Sequence, residues 1–184
     1  RVELVTAKYF GRYGERVRTM AVDNNAILAM NASGFVDTNR QGDGGIPTGV
    51  VIKDGKILHR DSTSGVSSII GFNKDNVLVL TKSTPEVAIK NGIEDAVEFG
   101  PFLIVNGESI KYNSSVGGYD RAARVAIAQR KDGVILFLAT EGTHGSGPTM
   151  KEVVETLELY GAYNAANLDG GTSSQMVIEG KLVN

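Results

Sequence analysis

Short runs of β-branched and aliphatic residues, each broken by a turn pair ending in glycine, recur along the chain. Val50–Ile52 and Ile57–His59 flank Asp54-Gly55, and Phe102–Val105 and Glu108–Ile110 flank Asn106-Gly107. Arg124–Gln129 and Val134–Thr140 flank Asp132-Gly133, and Gln175–Ile178 and Lys181–Val183 flank Glu179-Gly180. Such pairs suit tight hairpins because the turn positions need positive φ. A fifth hairpin is expected over Ser68–Phe72 and Val77–Thr81, around Asn73-Lys74-Asp75-Asn76. Helical periodicity is rarer. Met150, Val153, Val154 and Leu157 make one apolar stripe, Thr149 and Glu152 have capping-box spacing, and Gly161 is placed to end that helix. A second helix should start at Thr84-Pro85-Glu86, and a third should cover about Arg16–Val22. Strands that outnumber helices and pair locally predict an α+β fold: a large, mainly antiparallel, hairpin-rich sheet with two or three helices. No linker or repeat interrupts the pattern, so residues 1–184 are expected to form a single domain.

Composition narrows the chemistry. Lys and Arg number 19 against 21 Asp and Glu, a net charge of −2, which argues against a nucleic-acid partner or a polybasic membrane anchor. No apolar run approaches the ~18 residues of a membrane helix, so no transmembrane segment is expected. Cysteine is absent, which removes disulfides, thiolate metal sites and cysteine nucleophiles. The chain starts at Arg1 without an initiator Met and reads as a mature or trimmed domain whose targeting segment is not visible. Glycine is abundant, at 23 of 184 residues. With only 4 prolines and no low-complexity tract, it should mark turns and close backbone approaches rather than a linker.

P-loop, dinucleotide, nucleophile-elbow and zincin signatures are all missing. The two histidines, His59 and His144, cannot make a three-histidine metal site, and His59 falls in a hairpin strand. No cofactor or metal is expected. Calcium at the loop Asp37–Asp43 is the one ion the pattern leaves open, because oxygen-bearing residues alternate before Gly42. The twelfth position there is Thr48 instead of the bidentate Glu, and a polar surface loop is the preferred reading.

Polar residues cluster in four places. Asn167-Leu168-Asp169-Gly170-Gly171-Thr172-Ser173-Ser174 ends the apolar run Tyr163–Leu168 with a carboxylate, two glycines and three hydroxyls. Paired glycines let a ligand approach the backbone, and hydroxyls suit sugar or phosphate oxygens. Glu141-Gly142-Thr143-His144-Gly145-Ser146-Gly147 leads to the capped helix, Asn31-Ala32-Ser33-Gly34-Phe35 follows the apolar Ala26–Met30, and Arg121-Ala122-Ala123-Arg124 leads into a strand. An arginine at a strand mouth can grip phosphate or carboxylate, though a surface ion pair is the commoner fate.

These segments carry a resemblance. N-A-S-G-F (31–35), I-P-T-G (46–49), G-P-F-L-I-V-N-G (100–107), A-R-V-A-I-A (123–128), G-P-T-M-K-E (147–152) and N-L-D-G-G-T-S-S (167–174) stand in the order of the phosphodiester glycosidase family, which the chain resembles. Members usually read N-x-G-F-F, R-T-A-I-G and L-D-G-G-G-S-S, so Ser33-Gly34-Phe35, Val125 and Thr172 are departures. Without the cysteine-rich segments of the animal members, it is similar to a bacterial-type catalytic domain.

The resemblance implies hydrolysis of the glycosidic C–O bond of a sugar-1-phosphodiester, giving a free, N-acetylglucosamine-like sugar and a phosphomonoester. A phosphomonoester is already a good leaving group, so cations can replace the acid an ordinary glycosidase needs. On that basis Asp169 is the expected carboxylate at the anomeric carbon and Glu141 a second acid/base or sugar-hydroxyl binder. Arg124 is the expected phosphate clamp, with Arg121 as its substitute. Asn31, Gly34, Gly170, Gly171, Thr172, Ser173 and Ser174 are expected to position substrate, and His144 to assist leaving-group departure. The implied partner is a sugar-phosphate diester or an envelope glycopolymer, and the implied location extracellular or the cell envelope. A non-catalytic carbohydrate- or teichoic-acid-binding module, or a structural domain of an envelope polysaccharide system, is the alternative.

Overall fold

The structure is a computed structural model that describes residues 1–38, 42, 44–61, 65–111, 120–142 and 145–184. Along the chain come α1 (Val17–Asp23), β1 (Leu28–Met30), β2 (Val50–Lys53), β3 (Lys56–Arg60), β4 (Ser67–Asn73), β5 (Leu78–Ser83), α2 (Pro85–Lys90) and β6 (Ile93–Glu98). There follow β7 (Phe102–Val105), β8 (Glu108–Ser109), β9 (Val125–Arg130), β10 (Ile135–Ala139), α3 (Met150–Leu159), β11 (Ala162–Leu168), β12 (Met176–Ile178) and β13 (Lys181–Leu182). This is an α+β fold whose strands pair antiparallel in three sheets, ordered β10-β9-β11-β7-β8, β3-β2-β6-β4-β5 and β1-β12-β13.

Each expected hairpin forms. Asp54 and Gly55, Asn106 and Gly107, and Glu179 and Gly180 all take positive φ, the geometry of a two-residue turn matched to strand twist. The β9–β10 turn differs, with only Gly133 at positive φ. There the Asp132 carboxylate instead accepts from the backbone N–H of Val134 and from Arg130, which favours a longer turn.

Side-chain alternation stacks the sheets. In β9, Val125 and Ile127 face the second sheet, where they and Ala166 and Leu168 of β11 meet Ile70, Phe72, Leu78 and Val97. The intervening Ala126 and Ala128, with Ala165, Leu103 and Ile104, form a small-residue floor under Met150, Val153, Val154 and Leu157 of α3. On the far face of the second sheet, Val50, Ile52, Ile69, Ile93 and Ala96 pack on Ala88 of α2. The result is four layers, helix, sheet, sheet and helix. Strands buried on both faces explain why β9 reads as an unbroken apolar run.

α3 starts as its spacing predicts. Thr149 Oγ1 accepts from the Glu152 N–H at 3.2 Å, and the Glu152 carboxylate accepts from the Thr149 N–H at 2.7 Å. α2 is likewise capped by Thr84 and begins on Pro85.

Ile127, 4% exposed between the sheets, and Leu159, 84% exposed on α3, set a contrast. In denaturant unfolding, Ile127→Ala should cost about 2–4 kcal/mol, through lost burial and a cavity, and Leu159→Ala less than about 0.5 kcal/mol.

Candidate functional site

β11 carries the chain out of the core: Ala165 to Leu168 are buried, and Asp169 is the first residue beyond the strand. Its backbone is held from a distant part of the sequence. The Asp169 N–H donates to the Ala32 carbonyl at 3.0 Å, and Asn31 Nδ2 donates to the Asp169 carbonyl at 2.6 Å. Asn31 Oδ1 accepts from the Gln175 N–H at 2.9 Å, while the Asn31 N–H donates to the Gln175 carbonyl. Both ends of the Asn31 amide are therefore engaged, which makes it a positioning residue that fixes the two ends of the 169–175 loop.

The rest of that strap is braced in turn. Gly34 accepts from the Thr48 N–H at 3.0 Å, the Val36 N–H donates to Ile46, and Phe35 bridges Pro47. The N-A-S-G-F and I-P-T-G segments thus form one short antiparallel contact.

The carboxyl of Asp169 is perturbed. Burial pushes it above the usual carboxylate range, and a hydrogen bond from Ser173 acts in the opposite sense. Ser173 lies in a single 3-10 turn, Gly171–Ser173, that folds the hydroxyl back toward the aspartate.

Behind this loop, the Gly171 N–H donates to the Ala123 carbonyl at 2.8 Å. A side chain at Gly170 would start 2.8 Å from that same carbonyl oxygen and 3.4 Å from Arg124 Cα. At Gly147 (φ +92°) a side chain would meet the Ala122 carbonyl oxygen at 2.7 Å. Arg124 is tied to Thr140 through its N–H and carbonyl, at 2.8 and 2.9 Å. Segments 121–124 and 169–174 therefore meet Thr140 and Gly147 by close backbone contact.

The two arginines part ways. Arg121 reaches the Glu152 carboxylate with both terminal nitrogens, at 3.2 and 3.1 Å, and donates to the Gly147 carbonyl at 2.9 Å. Its guanidinium is engaged in bracing the start of α3 against Gly147. Arg124 donates from Nη2 to the Asp120 carbonyl, while its Nε is buried with no partner among the described residues. Ser174 Oγ is buried and unpartnered in the same sense. Buried polar atoms are normally satisfied, and these two belong to the segments that meet at Gly170 and Gly171.

A cleft of about 920 Å³ opens beside the aspartate. Asn31, Ser33, Asp169, Thr172, Ser173 and Gln175 form its polar end. Side chains of both sheets, including Ile70, Val97, Ile127 and Leu168, form an apolar stretch. Glu141 is exposed and, like Gly34, Arg121, Arg124, Gly170, Gly171 and Ser174, does not line that cleft. Gln175 and the Ala32 carbonyl carry no sequence signal for their part, because a polar loop residue and an alanine are unremarkable until the fold joins them. His144 lies outside the described residues, as do Asn39, Arg40, Gln41 and Asp43 of the loop Asp37–Asp43. In that loop the Asp37 carboxylate accepts from the Gly42 N–H at 2.8 Å. Among the described residues no cluster of three or more His, Cys, Asp or Glu side chains is placed to hold a metal.

The raised position of Asp169 has a consequence for stability. A carboxyl that binds its proton more tightly folded than unfolded destabilises the fold once pH passes the ordinary carboxylate value, and fully so above its own raised value. Asp169→Asn should therefore raise the melting temperature at neutral pH, and the gain should vanish as pH is lowered below the ordinary carboxylate range. Thermal melts across pH check both signs.

Comparison with known proteins places the chain in a family. The family model for phosphodiester glycosidases matches residues 24–184. The SPbeta prophage-derived uncharacterized protein YomE of Bacillus subtilis (strain 168) is 28% identical over 97% of this chain and 28% of its own length. The N-acetylglucosamine-1-phosphodiester alpha-N-acetylglucosaminidase of Mus musculus is 27% identical over 73% of this chain and 29% of its own length. Among solved structures, the zebrafish N-acetylglucosamine-1-phosphodiester alpha-N-acetylglucosaminidase catalytic domain, auto-inhibited by its pro-peptide, superposes with a TM-score of 0.76 at 24% identity. That match covers 92% of this chain and 59% of the zebrafish chain. The chain thus spans less than a third of either curated relative, and the zebrafish likeness is one of fold. With a family model matched over most of its length, the chain belongs to the phosphodiester glycosidase family.

Proposed function

We propose that this protein hydrolyses the glycosidic C–O bond of a sugar-1-phosphodiester, with an N-acetylglucosamine-like sugar on one side and a phosphomonoester released on the other. The observation that carries the reading is the placement of Asp169, a partly desolvated carboxyl at the polar end of the cleft. The name of the mouse relative supports the choice of sugar.

In this reading the C1–O bond breaks and its electron pair stays on the phosphate oxygen. Positive charge grows at the anomeric carbon, where the ionised Asp169 stabilises it. Water supplies the new hydroxyl of the sugar and loses a proton. Arg124 Nε and Ser174 Oγ give hydrogen bonds to the phosphate as its charge builds, which does the work of a separate acid. Thr172 and Ser173 offer hydroxyls to the sugar. No metal or cofactor enters these steps. The extracellular space or the cell envelope is the proposed location, where phosphate-linked sugars are exposed, and no described helix is long and apolar enough to cross a membrane.

A binding module without turnover is favoured by one observation, the exposure of Glu141 outside the cleft wall. Product release separates the two. Incubation with the benzyl phosphodiester of N-acetylglucosamine 1-phosphate should give free sugar and benzyl phosphate. Binding without either product would support the module instead.

Asp169→Asn should lower kcat by ~10³-fold or more with the fold intact. The acid limb of kcat/KM should lie above the ordinary carboxylate range, because the working form is ionised and burial raises its proton affinity. Arg124→Ala should raise KM for the phosphodiester by ~10–100-fold and leave a neutral aryl glycoside of the same sugar little changed. Equal loss on both substrates would remove Arg124 from the phosphate.

A further inference from the structure

The turn from Lys8 to Tyr13 has no part in the chemistry above, yet it is built as a rigid platform. The Phe10 N–H donates to Ala7, the Arg12 and Tyr13 N–H groups both donate to the Tyr9 carbonyl, and the Lys8 N–H donates to the Glu15 carboxylate. The Gly11 N–H donates to the Gly45 carbonyl at 2.9 Å, so the turn is tied to Gly45. Gly42, Gly44 and Gly45 line the same cleft as Asp169, and so do Ala7 and Phe10 from the turn itself. Phe10 thus anchors the turn at the cleft wall, while Tyr9 and Tyr13 are 58% and 62% exposed.

The two tyrosines stand edge to face, ring centres 6.3 Å apart at 85°, with Lys8 Nζ 5.7 Å from the Tyr9 ring. Exposed rings carried on a hydrogen-bonded turn at the side of a cleft offer a ligand apolar faces and hydroxyls. The charge around them is also distinctive. Residues 8–18 carry Lys8, Arg12, Arg16 and Arg18 against a single acid, Glu15, in a chain whose net charge is −2.

We infer that this turn is a second binding site, an extended subsite for a polymeric substrate whose sugar repeats are joined by phosphodiesters. The inference rests on the proposed hydrolysis of sugar-1-phosphodiesters and adds that the preferred substrate is a chain rather than a small diester. One repeat sits at Asp169, the polymer leaves past Gly42, Gly44 and Gly45, and a later repeat reaches the turn. Its pyranose lies against the exposed tyrosine faces and its phosphate meets Lys8 and Arg12. Aromatic rings alone would fit a neutral glycan, and cations alone any polyanion. Their alternation along one turn fits a chain that alternates sugar and phosphate.

The test compares poly(N-acetylglucosamine 1-phosphate) with the benzyl phosphodiester of N-acetylglucosamine 1-phosphate, on the wild type and three double variants. Tyr9→Ala with Tyr13→Ala, and Lys8→Gln with Arg12→Gln, should each raise KM for the polymer about tenfold, keep its kcat, and move the small diester by less than about twofold. Tyr9→Phe with Tyr13→Phe should retain most polymer affinity, since the ring faces remain. The Lys8/Arg12 variant should also flatten the salt dependence of polymer binding. Equal loss on both substrates, or none on the polymer, overturns the subsite. Fluorescence anisotropy with labelled polymer decides the matter even if the wild type cleaves neither substrate, a result that would sink only the hydrolase reading. Loss of polymer binding in the alanine variant supports the subsite, and unchanged binding overturns it. Tighter binding of single-stranded oligothymidylate than of the polymer would likewise overturn it, in favour of a nucleic-acid surface.

Discussion

The peptide units of Ala122 and Ala123 are gripped between two glycine-bearing loops, and the arrangement of the site depends on that close approach. From one side the Gly171 N–H donates to the Ala123 carbonyl, with Gly170 too near the same oxygen to carry a side chain. From the other side Gly147 presses on the Ala122 carbonyl. Backbone groups have fixed positions relative to their strands, whereas side chains must be immobilised one rotamer at a time. A loop fixed by its backbone to the mouths of β9 and β11 therefore inherits the rigidity of a sheet that is buried on both faces. The two alanines matter for the same reason: larger side chains next to the contact would keep the loops apart.

That clasp also sorts the charged groups. Arg121 and Arg124 flank the alanines and are three residues apart, so a strand geometry would point them to opposite faces. Arg121 meets Glu152, a carboxylate already held by the Thr149 cap of α3, and the ion pair fastens the helix start to the 121–124 segment. Hydrogen bonds from the Thr149 N–H and Arg121 hold Glu152 below the usual carboxylate range. Arg124, drawn inward by its bonds to Thr140, keeps a buried and unpartnered Nε. One arginine stabilises the frame, and the other keeps a donor with no partner among the described residues.

Much of the local structure was legible in the sequence, because its causes are local. The hairpins follow from turn pairs whose positive φ the structure bears out at Asp54, Asn106 and Glu179, and α3 follows from one capping box and one stripe. The layering was not legible. Nothing near Ala126 or Ala128 says that they form a floor for a helix while Val125 and Ile127 face another sheet. The site was half legible for the same reason. Asp169 and Glu141 look alike as acids at strand ends followed by glycine, yet only Asp169 is partly buried and lines the cleft. The difference comes from Asn31 and Ala32, 138 and 137 positions away, which pin the Asp169 backbone. Asn31 itself was expected to touch substrate, and the structure gives both ends of its amide to backbone partners.

The inequality of the two carboxylates bears on the proposed chemistry. A glycosidase that expels an alcohol needs two carboxyl groups facing each other across the bond, one of them protonated, and both must be placed precisely. When the leaving group is a phosphomonoester, the acid is dispensable and the demand moves to donors around the phosphate. A site for that reaction would be expected to concentrate its desolvation on one carboxylate and leave buried donors unpaired beside it. Asp169 is the partly desolvated carboxylate here, Arg124 Nε and Ser174 Oγ are buried without a partner among the described residues, and Glu141 is exposed. The exposed second acid, which would count against an ordinary glycosidase, is thus compatible with cleavage of a phosphate-linked sugar.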